Sequence, residues 1–244
     1  PTFEQKMAWM LRLEDQRILR APAPAPAVAA VDPGPARGRR AKPSPAPPPP
    51  VPDLVALLAD PEGRVRRRAA LAIGRVGLAE GVAPLAAVLA ADRDSEVRQM
   101  AAFAMGLIGD RAAVEPLRAA LRDASPLVQG RAADAIGLIG DAESAPAIAA
   151  MAASHLAAVT AASPDADEGA YPLEPAVEAF RLGLYALTRL KAADAIAGVV
   201  LDPAGRLRVA WWPAAYALSR TEDPRAVPAL QLLLASRSSV ARAF

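Results

Sequence analysis

Cysteine is absent from the 244 residues, which excludes disulfides and thiolate metal sites; it leaves the compartment open, because exported proteins can also lack cysteine. The single histidine, His155, leaves little for metal or general-base chemistry. Aromatic residues are scarce, 4 % of the chain against 53 % hydrophobic residues, so the excess is alanine, leucine and valine. Such a composition suits helices that pack closely, because small side chains let neighbouring backbones approach. Long apolar runs are also missing, and none reaches the roughly 20 residues that a membrane-spanning helix needs.

A strong charge excess is missing once the charge is located. The sequence pI of about 9.3 suggests a nucleic-acid partner, but residues 1–52 hold eight Lys/Arg against four Asp/Glu. The rest holds twenty against twenty-two, so the folded part lacks the clustered basic face of a nucleic-acid binder.

What is present is a repeat. V-R-R-R-A-A-L-A-I-G-R-V-G runs from Val65 to Gly77, V-R-Q-M-A-A-F-A-M-G-L-I-G-D from Val97 to Asp110, and V-Q-G-R-A-A-D-A-I-G-L-I-G-D from Val128 to Asp141. Copies spaced 32 and 31 residues apart predict an array of supersecondary units, none able to bury its apolar face alone. The period breaks after Gly140 and resumes at Ala186–Leu190 and Ala217–Thr221, where Thr188 and Ser219 replace the repeat glycine. Gly137 to Thr188 is 51 residues, one period plus about twenty, so an insertion is expected around 152–172.

Each unit reads as two helices. Pro84, Pro116, Pro146 and Pro228 sit near the start of the first, where a missing N–H costs little. Turns such as Asp60-Pro61 then stop it, because proline disfavours helix in the residue before it. In the second helices, Gly74, Gly106 and Gly137 lie beside Ala72, Ala104 and Ala135, a place for a close neighbour. Gly77, Gly109 and Gly140 occupy the helix end, where a left-handed conformation is wanted. These glycines end helices and do not follow a strand, so a phosphate loop is rejected. The fold expected is an all-α solenoid, a superhelix of stacked helix pairs with about six units.

Three segments are predicted: a helix over 1–20, a linker over 21–52 and the array over 53–244. Phe3, Met7, Met10, Leu11 and Ile18 recur at helical spacing, so the first helix is amphipathic and is expected to dock on the body or on another subunit. Acidic residues on its polar face argue against a membrane surface. The linker holds most of the thirteen prolines that residues 1–52 contain, so it is expected to be a polyproline-like spacer, with Arg37, Arg39, Arg40 and Lys42 as solvated charge. The chain opens at Pro1 without a methionine, which suggests processing or trimming. One period beyond Ser219 lies near residue 250, so the last unit is expected to be incomplete and to be continued or covered.

The repeated residues, from Asp60-Pro61 through Val65-Arg66 to Gly74 and Gly77, resemble the short bacterial HEAT-like repeats, including those of phycobilin lyases. The resemblance covers about residues 53–244 and is closest in the first three units. It implies second helices lining a concave face with partners bound along it. The unit order and the run Leu11–Arg20 also resemble the repeat region that precedes a cyclophilin-type peptidyl-prolyl isomerase domain in some bacterial proteins; no such domain is visible in this chain.

No nucleophile, base or metal cluster emerges by spacing. His155 sits among alanines without a relay partner, Asp165, Asp167 and Glu168 lack the full ligand set of a calcium loop, and one of Trp211 and Trp212 is expected in the core. No cofactor is expected. The variable positions of the second helices predict the exposed surface: Arg68, Met100 and Arg131; Leu71, Phe103 and Asp134; Arg75, Leu107 and Leu138. Arg68, Met100, Phe103, Leu107, Arg131 and Leu138 then either form an apolar strip rimmed by arginines, the composition of a partner groove, or complete the packing against adjacent units. The expected function is a non-catalytic scaffold for a protein partner or the other subunits of an assembly, with nucleic acid disfavoured. The alternative is the repeat portion of a larger enzyme, such as a peptidyl-prolyl isomerase or a bilin lyase, with the catalytic part outside this chain. Limited proteolysis should cut first within 21–52 and 163–172; early cleavage inside Val97–Asp110 would sink the repeat assignment.

Overall fold

The computed structural model describes residues 1–22, 51–161, 173–235 and 239–243. The predicted linker and the loop of the insertion fall almost wholly outside the described residues. Fourteen α-helices are described: α1 (Phe3–Gln16), α2 (Leu54–Leu57), α3 (Gly63–Val76), α4 (Val82–Ala91), α5 (Ser95–Ile108), α6 (Val114–Ala120), α7 (Pro126–Ile139), α8 (Ala145–Ser154), α9 (Leu156–Ala161), α10 (Pro175–Arg189), α11 (Ala193–Val200), α12 (Trp212–Ser219), α13 (Val227–Leu233) and α14 (Ser239–Ala243). No strand occurs among the described residues. The fold is an all-α solenoid in which the second helices α3, α5, α7, α10, α12 and α14 pack in sequence, backed by the first helices.

Local chemistry sets the helix ends. Asp53 accepts from the Val55 and Ala56 N–H groups at the start of α2, and Asp94 accepts from the Glu96 N–H at the start of α5. Gly77, Gly109 and Gly140 end α3, α5 and α7 at φ +76°, +74° and +83°, the left-handed cap expected from their spacing.

The second helices touch through backbone. A Cβ added to Gly74 would lie 2.7 Å from the Ala104 Cα, one added to Gly106 would lie 2.9 Å from the Ala135 Cα, and one added to Gly137 would lie 2.8 Å from the Ala186 Cα. Glycine on one helix therefore sits on alanine of the next. The row ends at Thr188, whose hydroxyl donates back to the Leu184 carbonyl. Aromatic side chains fill that seam: Phe180 stacks on Trp211 with centroids 6.3 Å apart, and Tyr185 meets Tyr216 edge-on at 5.7 Å. Trp211 is buried and Trp212 half-buried, the division expected of adjacent helical residues.

Polar rungs tie each unit to the next along one edge. Arg66 donates through Nε and Nη2 to both carboxylate oxygens of Asp92, at 2.7 and 2.8 Å, while its Nη1 donates to the Asp60 carbonyl in its own unit. Arg98 repeats this with Asp123 and the Asp92 carbonyl. Gln129 continues it, donating to the Asp123 carbonyl and meeting His155 Nε2 at 2.6 Å through Oε1. The histidine thus stands where the previous units place an aspartate. Phe180 occupies the next rung position and uses the Trp211 stack instead.

α1 supplies a rung before the first unit, because Lys6 pairs with Asp60 at 2.5 Å. A constant offset of 60 residues relates α1 to α3: both are 14 residues long, Lys6 matches Arg66, and Arg17 in the left-handed region matches Gly77. α1 therefore takes the place of the second helix of a preceding unit, with Met10 and Leu13 fully buried. The connection beyond it leaves and re-enters at one point: the Leu54 N–H donates to the Leu19 carbonyl at 2.8 Å, the Ala21 N–H to the Pro52 carbonyl at 2.9 Å, and Arg20 pairs with Asp53. α1 is seated against the array, and residues 23–50 join two ends that already meet.

Two tests follow from this packing. Gly74→Ala should cost about 1–3 kcal/mol through overpacking against Ala104, whereas Gly198→Ala in α11, where an added Cβ meets nothing within 4 Å, should stabilise by about 0.5–1 kcal/mol; thermal melts of both variants check this. The Arg66 guanidinium holds the Asp92 carboxyl below the ordinary carboxylate range, and the Ser144 hydroxyl together with Arg118 does the same for Asp141. A depressed folded-state pKa contributes stability that is full above the unfolded value near 4 and is lost as pH falls through the folded value. Unfolding free energy should accordingly stay level with respect to these groups down to about pH 4 and drop below it, with a shallower drop in Asp92→Asn. That variant should also cost about 3 kcal/mol at neutral pH, because it leaves Arg66 buried without its counter-ion.

Candidate interaction face of the second helices

Each second helix buries three sides, one against the first helices and two against its neighbours. What remains is one stripe at i, i+3 and i+7. The stripe is Arg68, Leu71 and Arg75 on α3; Met100, Phe103 and Leu107 on α5; Arg131, Asp134 and Leu138 on α7; Leu182, Tyr185 and Arg189 on α10; and Tyr216 and Arg220 on α12. The first rows are half-buried or buried. The last row, Arg75, Leu107, Leu138, Arg189 and Arg220, is exposed throughout.

The predicted site residues divide into two groups. Arg68 belongs to an internal contact: it and Arg75 share the carboxylate of Glu14 on α1, with Arg75 Nη1 at 3.6 Å. Met100 is half-buried and packs against the core. The other four come together at the centre of the face. The Arg131 guanidinium lies 5.7 Å over the Phe103 ring, Leu107 is 42 % exposed and Leu138 45 % exposed. Leu138 reaches back to α5, where its Cδ1 would lie 3.3 Å from a Cβ on Gly106, the residue before Leu107. Asp134 differs from expectation, being buried: Arg189 pairs with it at 2.5 Å and Arg131 approaches it at 3.8 Å, so one carboxylate serves two arginines.

Five residues of the stripe were not among the predicted ones: Leu182, which is buried, and four that reach the surface. Tyr185 and Tyr216 fall at the Phe103 position, each with an arginine 5.5 Å from its ring, Arg181 and Arg220 respectively. Arg189 and Arg220 fall at the Leu107 position. The signal was present in the run Ala186–Leu190 and its copy Ala217–Thr221, since either fixes the register. Beside them, between α10 and α12, lies an open groove of about 440 Å³ lined by Thr188, Arg189, Lys191, Tyr216, Arg220 and Glu222 among others. A groove of about 810 Å³ on the opposite layer, between α8 and α11, is walled mainly by alanine.

Among the described residues no group of three or more His, Asp or Glu could hold a metal ion, and no helix is long and apolar enough to cross a membrane. His155 is taken up by its rung with Gln129; burial pushes its pKa below the ordinary value, against an opposing pull from Glu174. Asp165, Asp167 and Glu168 lie outside the described residues.

Glu14→Ala should release Arg68 and Arg75 and loosen α1 alone. Loss of the shared carboxylate costs about 1.5 kcal/mol, so amide exchange across Phe3–Gln16 should rise roughly tenfold while α5 and α7 stay protected. Uniform exchange across all three helices would show that α1 does not cap the array.

Comparison with known proteins places this arrangement. Residues 40–99 and 82–163 match HEAT repeats, and residues 214–236 match the PBS lyase HEAT-like repeat. No curated protein matches the chain significantly. Among solved structures, the complex of CpcE and CpcF of phycocyanin lyase from Nostoc sp. PCC7120 is similar at 24 % identity and a TM-score of 0.54, covering 86 % of this chain and 78 % of that one. Human deoxyhypusine hydroxylase in complex with glycerol is 20 % identical with a TM-score of 0.41, covering 78 % and 68 %. The designed armadillo repeat protein YIII(Dq)4CqI is 17 % identical with a TM-score of 0.41, covering 78 % and 94 %. With one family matched over half its length, the chain belongs to the HEAT-repeat proteins.

Proposed function

We propose that this chain is a non-catalytic scaffold that binds a protein partner along the outward stripe of its second helices, centred on Leu107 and Leu138. The observation that carries the reading is their joint exposure on adjoining helices, within a face where arginines lie over Phe103, Tyr185 and Tyr216. Leucines 42 % and 45 % exposed beside rigid aromatics and arginines form the composition of interface anchors. Arg68 and Met100 then serve the frame of the site, Arg68 by holding α1 and Met100 by packing under the stripe.

A second reading is a subunit of a bilin lyase. It is supported by the PBS lyase HEAT-like match and by the fold shared with a two-chain lyase complex. The two readings separate by ligand: a lyase subunit changes the visible absorbance of an added bilin, and a scaffold does not. The isomerase resemblance rests on unit order and the run Leu11–Arg20, and neither family match points to an isomerase.

The scaffold reading is tested by pairing Leu107→Asp with Leu138→Asp. A partner recovered from the native source, purified and titrated by calorimetry should bind the wild-type chain and lose at least 2 kcal/mol with the variant, the size of a hot-spot loss. Leu232→Asp, at a 63 % exposed leucine on α13, should leave binding unchanged. Equal affinity for all three proteins would remove the stripe as the site.

A further inference from the structure

We infer that the partner segment is acidic at one end: its apolar anchor lies over Leu107 and Leu138, and a cluster of carboxylates follows in the groove between α10 and α12. The inference rests on the scaffold reading and adds the chemistry and the direction of what is bound.

Charge on the stripe is unevenly satisfied. At the α3 end two arginines already share Glu14, and α1 closes that side. In the middle, Arg131 and Arg189 share Asp134. At the α12 end, Arg189, Lys191 and Arg220 line one groove with Glu222 as its carboxylate. No carboxylate among the described residues pairs with Lys191 or Arg220, and Arg220 lies instead over the Tyr216 ring. Lys191 and Arg220, two cations that no described carboxylate pairs with, stand beside Glu222 in this groove and next to an aromatic surface, while Arg189 keeps Asp134; the pair favours carboxylates by charge and by the forked geometry of arginine.

The anchor and the acidic cluster are separated by the helix spacing. Leu138 is on α7, and Arg189 and Arg220 are one and two helices further on. At 8–10 Å between axes, the carboxylates belong about 10–20 Å from the anchor. A helical segment covers that distance in about ten residues. A polyanion such as nucleic acid fits less well, because Asp134 and Glu178 lie on the same face and the array as a whole carries a slight acidic excess.

The test uses the full chain and two fluorescein-labelled helical peptides. Both carry Leu-Leu-Phe at one end; about ten residues on, one carries four glutamates and the other four lysines. Fluorescence anisotropy should show the glutamate peptide binding about tenfold tighter, with the preference shrinking as salt rises. Lys191→Glu with Arg220→Glu, which breaks no ion pair among the described residues, should abolish or invert that preference and leave anchor binding in place. Leu107→Asp with Leu138→Asp should lose both peptides, with helicity and melting temperature followed to confirm folding. Equal affinity for the two peptides, or a preference for lysine, overturns the acidic inference and leaves the scaffold reading standing. Binding of either peptide that ignores Leu107 and Leu138, or no binding at all, overturns both. A 20-nucleotide single strand that competes through Arg220 overturns the inference in favour of a polyanion.

Discussion

The contact of glycine on alanine between successive second helices decides most of what this protein can be. With a Cβ at Gly74 less than 3 Å from the Ala104 Cα, the helices stand at a distance that admits no larger side chain at that row. Hydrophobic content is therefore concentrated in alanine, leucine and valine, and aromatic content is low. Such an interior gains stability from close contact over a long repeated seam. The same approach turns a fixed side of every helix outward. The interaction stripe is what the seam leaves over.

The rungs set register more than they add stability. A buried arginine–aspartate pair returns roughly what its desolvation costs, and its loss is expensive chiefly because one charge is left behind. Arg66, Arg98 and Gln129 each reach a side chain of the following unit and a carbonyl of their own, so a unit that slid along its neighbour would break two bonds at once. Lys6 makes the corresponding bond to Asp60 from α1. The side of α3 away from α5 is thereby covered by a helix carrying the same polar contact and the same left-handed cap as α3.

The architecture was legible in the sequence because its determinants repeat. Gly74, Gly106 and Gly137 recur at one position, and so do the helix-ending Gly77, Gly109 and Gly140. What does not repeat was hidden. α1 lies 60 residues, about two periods, before α3 with an alanine- and proline-rich stretch between them, so its 14 residues read as a separate amphipathic helix. Asp134 sits at a position held by leucine and phenylalanine in the units before it and so read as exposed; the arginine that buries it is 55 residues away, across the insertion. Arg68 read as a free rim charge because Glu14 lies outside the array in sequence and against it in space. The exposure of Leu107 and Leu138, by contrast, follows from register alone.

The loss of the glycine row at Thr188 alters structure and surface together. A hydroxyl-bearing side chain there cannot sit under a neighbouring backbone as glycine does, so the seam between α10 and α12 opens and is filled by Phe180, Trp211, Tyr185 and Tyr216. Aromatic rings reach the face there, with Arg220 of the last row over Tyr216 and Arg181 over Tyr185. Up to α7 the face is built by close packing and shows leucine; beyond α10 it is built by rings and shows tyrosine and arginine. The polarity of the candidate site is thus a consequence of where the repeat departs from its own pattern.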